Sequence, residues 1–108
     1  MKKIEIPKTP FVVADRVEYS QGSIVSQQLT YNPAGNITFF AFDEGQQLSE
    51  HTAPFDAIVE IVDGEAEIHI DGVKHLVRTG EMLVMPANIP HALYAVKRFK
   101  MILTMIKG

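Results

Sequence analysis

The chain has 108 residues, 46% of them hydrophobic, and a formal charge of −3 with histidine neutral. That length suits one domain with a small core, and the charge gives no electrostatic reason to expect nucleic acid or an acidic membrane surface as a partner. There is no cysteine, which excludes disulfides, thiolate catalysis and Cys-type zinc sites and fits a cytoplasmic chain.

Lys2 and Lys3 open the chain, but no apolar run of signal-peptide length follows them. No stretch reaches the ~18 apolar residues of a membrane span. Residues 1–13, with Pro7 and Pro10, read as an extended N-terminal arm, and residues 14–108 as the folded domain. Residues 17–30 alternate loosely around Gly22 and predict edge strands. Tyr31-Asn32-Pro33-Ala34-Gly35-Asn36 is a turn cluster. Residues 37–42 form an aromatic run of strand length, closed by Asp43-Glu44-Gly45. A strand over 57–62 ends at Asp63-Gly64. Residues 65–70 alternate, with Ala66, Ile68 and Ile70 on one face and Glu65, Glu67 and His69 on the other. Residues 73–78, 82–85, 92–96 and 99–106 complete the set. No window holds a convincing amphipathic helix longer than two turns.

Short strands with Gly or Pro between them argue an all-β sandwich or closed barrel. A plain hairpin at Asp63-Gly64 would set Glu60 opposite Glu67, an unfavourable like-charge pair. Passing the chain to another sheet at that point separates them. Asp71-Gly72 is a two-residue hairpin signal. It pairs Ile70 with Val73, Ile68 with His75 and Ala66 with Val77. His75 then falls on the apolar inward face as a core histidine, and His69 outward beside Lys74, solvated or at an interface.

Two segments carry a further pattern. Gly45 is followed by five residues and His51, with Gly64 beyond; Gly80 is followed by five residues and Pro86, then His91. Their order and spacing resemble the two motifs of the small single-domain cupins, over roughly residues 37–106. The family's first motif places a second His where Ala53 stands and a Glu where Ala57 stands. Its second motif has Gly at Asn88 and Asn at Ala95. Asn88 can keep that turn, because Asn tolerates a left-handed backbone. The resemblance implies a jelly-roll β-barrel, with His51 and His91 pointing into a pocket at one end. It also implies homodimers, often with the N-terminal segment added to the partner's sheet.

Metal-dependent cupins usually present three His and one Glu to Fe, Mn, Ni, Cu or Zn, and two of those four ligands remain here. A divalent transition metal at His51 and His91 would need water, substrate or a neighbouring carboxylate to complete its shell. Asp56, which Pro54 could re-aim, and Glu50, expected to point the other way, are the nearest carboxylates. Without metal, the two imidazoles would hydrogen-bond a ligand, a water or backbone, or be purely structural. Ala53 and Ala57 enlarge the pocket and remove charge from it. With Met85 and Leu93, and with Phe39, Val59, Met82 and Val84 nearby, its walls would be apolar around a few polar anchors. The expected function is binding of a small molecule in this pocket. The alternative is a metal-dependent oxygenase or isomerase whose shell is finished by water and substrate.

Overall fold

A single 15-residue strand organises the molecule. The structure, a computed structural model, describes residues 2, 3 and 5–107. Its strands are β1 (Lys2–Lys3), β2 (Ile24–Asn32), β3 (Gly35–Phe42), β4 (Gln47–His51), β5 (Asp56–Ile70), β6 (Val73–Arg78), β7 (Met82–Met85), β8 (His91–Tyr94) and β9 (Phe99–Ile106). A 3-10 turn, Val13–Asp15, precedes β2. The first half of β5 lies between β9 and β7, in a sheet that continues through β3 and β2 to β1. Its second half lies between β6 and β8, with β4 at the far edge of β8. The two sheets face each other as a jelly-roll barrel.

β5 changes sheets where the sequence places Asp63-Gly64. Its register against β9 slips between Ile61 and Asp63. Before the slip Ala57, Val59 and Ile61 are buried; after it Ala66 and Ile68 are. A one-residue bulge exchanges the two faces of a strand, so both halves of β5 keep their apolar residues inward. Glu60 pairs with Met82 and Ile102, and Glu67 with Leu76 and Tyr94. The like-charge pair of a plain hairpin is thus avoided. The expected end of the strand at residue 62 is corrected: the chain runs on through Gly64 as one bent strand.

Phe42, Ile61, Ile68, Phe99 and Met101 are almost fully buried in the core between the sheets. The Phe42 and Phe99 rings stack with centroids 4.5 Å apart. Truncating either to Ala would cost about 3–5 kcal/mol. A second cluster of Val17, Phe39 and Ala41 lies on the other face of β3. Phe39 therefore faces away from the barrel interior. It packs beneath the N-terminal segment, edge to face with Phe11. Lys100, also buried, donates to the Ala14 carbonyl at 2.5 Å, and Tyr19 donates to Asp63 at 2.5 Å. β1 pairs in parallel with Gln27 and Gln28 of the same chain. Met1 and Ile4, within the expected arm of residues 1–13, lie outside the described residues.

The Asp71-Gly72 hairpin has the expected register, and both turn residues have positive φ, 51° and 79°. His75 sits opposite Ile68 but is only half-buried, since β6 is an edge strand. The core-histidine expectation is corrected accordingly. His69 contacts Glu67 Oε2 at 2.8 Å and lies edge-on to Tyr94.

Candidate functional site

At one end of the barrel the sheets enclose a cavity of about 240 Å³. It is lined by Leu48 and His51 of β4, Ala53 and Phe55 of the following loop, and Ala57 of β5. Met85, His91, Leu93 and, from β9, Met101, Leu103 and Met105 complete the wall. The two imidazoles are the polar side chains in this lining among the described residues.

Local strand irregularities bring the pair together. Leu48 pairs with Leu93 and His51 with His91, so β4 spends three residues where β8 spends two. In an unbroken register Glu50 would stand opposite His91 and face the cavity. The bulge substitutes His51, and Glu50 stays exposed. Opposite, Asn88 adopts φ 64° in the turn that leads to His91. That is the left-handed conformation Asn tolerates best after glycine. The Asn88 N–H donates to the Ala53 carbonyl at 2.7 Å, tying the two rims together.

His51 Nε2 and His91 Nε2 are 3.1 Å apart, with ring centroids at 4.3 Å. His51 Nδ1 lies 2.8 Å from the Ser49 carbonyl oxygen, and His91 Nδ1 lies 3.2 Å from that of Ile89. His91 is 4% exposed, whereas His51 stands at the open rim. Burial pushes the His91 imidazole below its ordinary pKa; the Ile89 hydrogen bond opposes that shift, and His51 adds to it.

Asp56 does not complete a ligand set. Its Oδ1 accepts the Ala87 N–H at 2.8 Å and so fixes the Pro86 turn to the start of β5. Among the described residues, no group of three or more His, Cys, Asp or Glu is placed to hold a metal ion. Two imidazoles fall short of the three protein ligands of typical catalytic zinc sites. The residues present therefore do not by themselves fit a resident metal.

The sequence-derived wall residues divide by strand parity. Ala53, Ala57, Met85 and Leu93 line the cavity with the His pair. Met82 and Val84 instead lie on the outer face of β7 and are exposed. Phe39 belongs to the outer cluster, and Val59 is buried in the core beside the cavity rather than on its wall. Sequence reasoning missed Leu48, Phe55, Met101, Leu103 and Met105. The last three were legible as the face of β9 that also carries Phe99.

A bent central strand, two facing sheets and a His-bearing cavity at the barrel end define a small jelly-roll protein with an internal site. Residues 38–107 match the cupin domain family model, and the chain belongs to that family. It is similar to a conserved protein of unknown function from Streptococcus pyogenes, with 39% identity over 94% of this chain and 90% of that one, TM-score 0.90. A cupin 2 conserved barrel domain protein from Leptotrichia buccalis is 44% identical over 90% of this chain, TM-score 0.87; this chain spans only 47% of its length. A cupin superfamily protein from Desulfitobacterium hafniense is 27% identical over 94% of both chains, TM-score 0.89. No curated protein matches the chain.

Proposed function

We propose that this cupin binds a small molecule in the cavity at the barrel end, with His51 and His91 as its polar anchor. The observation that carries this reading is a pair of convergent imidazoles in an otherwise apolar enclosure. Apolar walls supply affinity, and a few fixed polar groups supply orientation. A cavity of ~150 Å³ lined by Leu, Ile and Phe admits benzene; at about 240 Å³ this one has room for a single ring with a short substituent.

A thermal-shift screen of single-ring fragments tests the proposal. Hits should raise the Tm of the parent and lose their effect in Ala53→Phe, which fills the cavity from its half-buried rim. Hits that stabilise both proteins equally would place binding elsewhere and sink the reading.

One observation favours a second reading. The 3.1 Å separation of the two Nε2 atoms suits two adjacent positions around an ion with ligands at about 2.0–2.1 Å. A metal-dependent oxygenase or isomerase would then take its remaining ligands from water and substrate. Elemental analysis of protein purified without added metal or chelator separates the readings. A stoichiometric transition metal that disappears in both His51→Ala and His91→Ala would favour the second.

A further inference from the structure

We infer that Ala57, Met85 and Met105 form a slot in the cavity wall that selects a planar aromatic ring over a saturated ring of the same size. The inference rests on the small-molecule reading above and names the class of ligand.

The slot follows from strand register. Ala57 of β5 stands directly opposite Met85 of β7 and Met105 of β9, so the three share one row across neighbouring strands. All three line the cavity. The next row inward holds Leu83, Val59 and Leu103, and the one beyond it Ile61 and Met101. Side chains on the inward face of β5 thus grow from Ala57 to Val59 to Ile61. Ala57 is the low point, and it lies between two long thioethers.

The width of the slot decides what enters it. Adjacent strands lie about 4.8 Å apart, which sets the Met85 and Met105 backbones roughly 9.6 Å apart across Ala57. Strand side chains stand roughly perpendicular to the sheet, so the two thioethers form facing walls. A sulfur sits favourably about 5 Å from an aromatic ring, and a ring with one sulfur on each side spans about 10 Å. The two lengths agree. A flat ring can stand on the Ala57 methyl with a thioether against each face. A saturated chair is thicker and has no π-electrons to attract sulfur, so it must push apart walls that belong to a packed core. Leu48 and Leu93 line the cavity from the facing sheet and offer apolar area to either ring alike.

The test compares benzyl alcohol with cyclohexylmethanol by titration calorimetry on the full chain. The two share a hydroxymethyl group, so hydrogen bonding at His51 and His91 does not separate them. The saturated alcohol has the larger apolar area and would win on transfer from water alone. Benzyl alcohol should nevertheless bind roughly fivefold more tightly, the worth of two sulfur–ring contacts. In Met85→Leu with Met105→Leu, a swap that nearly conserves volume, that preference should vanish while both alcohols still bind. Equal or tighter binding of cyclohexylmethanol by the parent would overturn the inference and leave the pocket reading standing. A preference for benzyl alcohol that survives in the double variant would overturn it too. If neither alcohol binds, the pocket reading falls and takes the inference with it. NMR of methyl-labelled methionine gives a readout on the parent itself. Benzyl alcohol should move the Met85 and Met105 methyl signals upfield, as methyls over ring faces do. The signal of Met82, exposed on the outer face of β7, should stay in place. A complex in which the Met85 and Met105 signals do not move would refute the slot.

Discussion

Gly64 is the residue on which the barrel's bend depends. Its φ is +77°, and a Cβ built there would lie 2.2 Å from the Arg98 carbonyl oxygen. Because the obstacle is backbone, relief requires β5 and the start of β9 to separate. Gly64→Ala should therefore lose about 2–4 kcal/mol, the positive-φ penalty plus the clash. Gly45→Ala, also at positive φ but with nothing within 4 Å, should lose only about 1 kcal/mol. Urea denaturation of both variants checks the contrast; equal losses would mean the close approach is unimportant. At His91 the effect is on pH dependence. Its folded pKa is lowered, chiefly by burial, so between the unfolded value near 6.5 and the lower folded value the unfolded chain binds more protons. The contribution is fully present above about pH 6.5 and is lost as pH falls through the folded pKa. His91→Gln should flatten that acid limb of the stability profile, and an unchanged limb would show that another group causes it.

Two bulges decide which side chains the strands offer to the interior. The slip in β5 switches the buried set from odd to even residues, and the slip in β4 puts His51 rather than Glu50 opposite His91. The same strands and the loop between them place Ala53 and Ala57 on the cavity wall with the His pair. Ala53→His with Ala57→Glu should therefore build a four-ligand site and strengthen binding of Ni or Mn, ions suited to imidazole and carboxylate ligands. Without metal the variant should be destabilised, since an unpaired carboxylate is costly in an apolar cavity. Calorimetric titration with Ni, beside a melting curve with and without the ion, checks both effects. A folded double variant that binds Ni no better than the parent would contradict the placement of these two positions.

At the scale of the molecule, the outer face of β3 is nearly as apolar as its inner one. Phe39 and Ala41 are buried there under Val17 and the N-terminal segment, while Phe11 and Val12 remain partly or largely exposed. We expect a homodimer that covers this segment. A small barrel gains burial by association, and a two-fold contact would close over the edge near β1 and β2. Light scattering at micromolar concentration should give about twice the 12.0 kDa chain mass. A monomer that keeps its stability after deletion of residues 1–13 would refute this.

Much of the fold was legible because its signals are local. The strands over 73–78, 82–85 and 99–106 have the bounds read from alternation and turn residues, and the Asp71-Gly72 register follows from two positive-φ positions. Gly64 and Asn88 could be read as special backbone because few other residues tolerate such conformations. The spacing of Gly45, His51, Gly80, Pro86 and His91 also pointed to one family. The tertiary structure decided what no local pattern encodes. β4 was missed because Gln47, Ser49, Glu50 and the rim-facing His51 are exposed and lack an apolar period. Phe39, Met82 and Val84 read from the sequence as cavity neighbours because these strands carry apolar residues on both faces, and alternation cannot tell which face is inside. Only the packing of the two sheets, with the N-terminal segment laid over one of them, settles that. The sequence by itself determined most of the strands, the Asp71-Gly72 turn and the two histidines. The meeting of their Nε2 atoms depends on bulges, and a bulge's position is set by long-range pairing between strands distant in the chain.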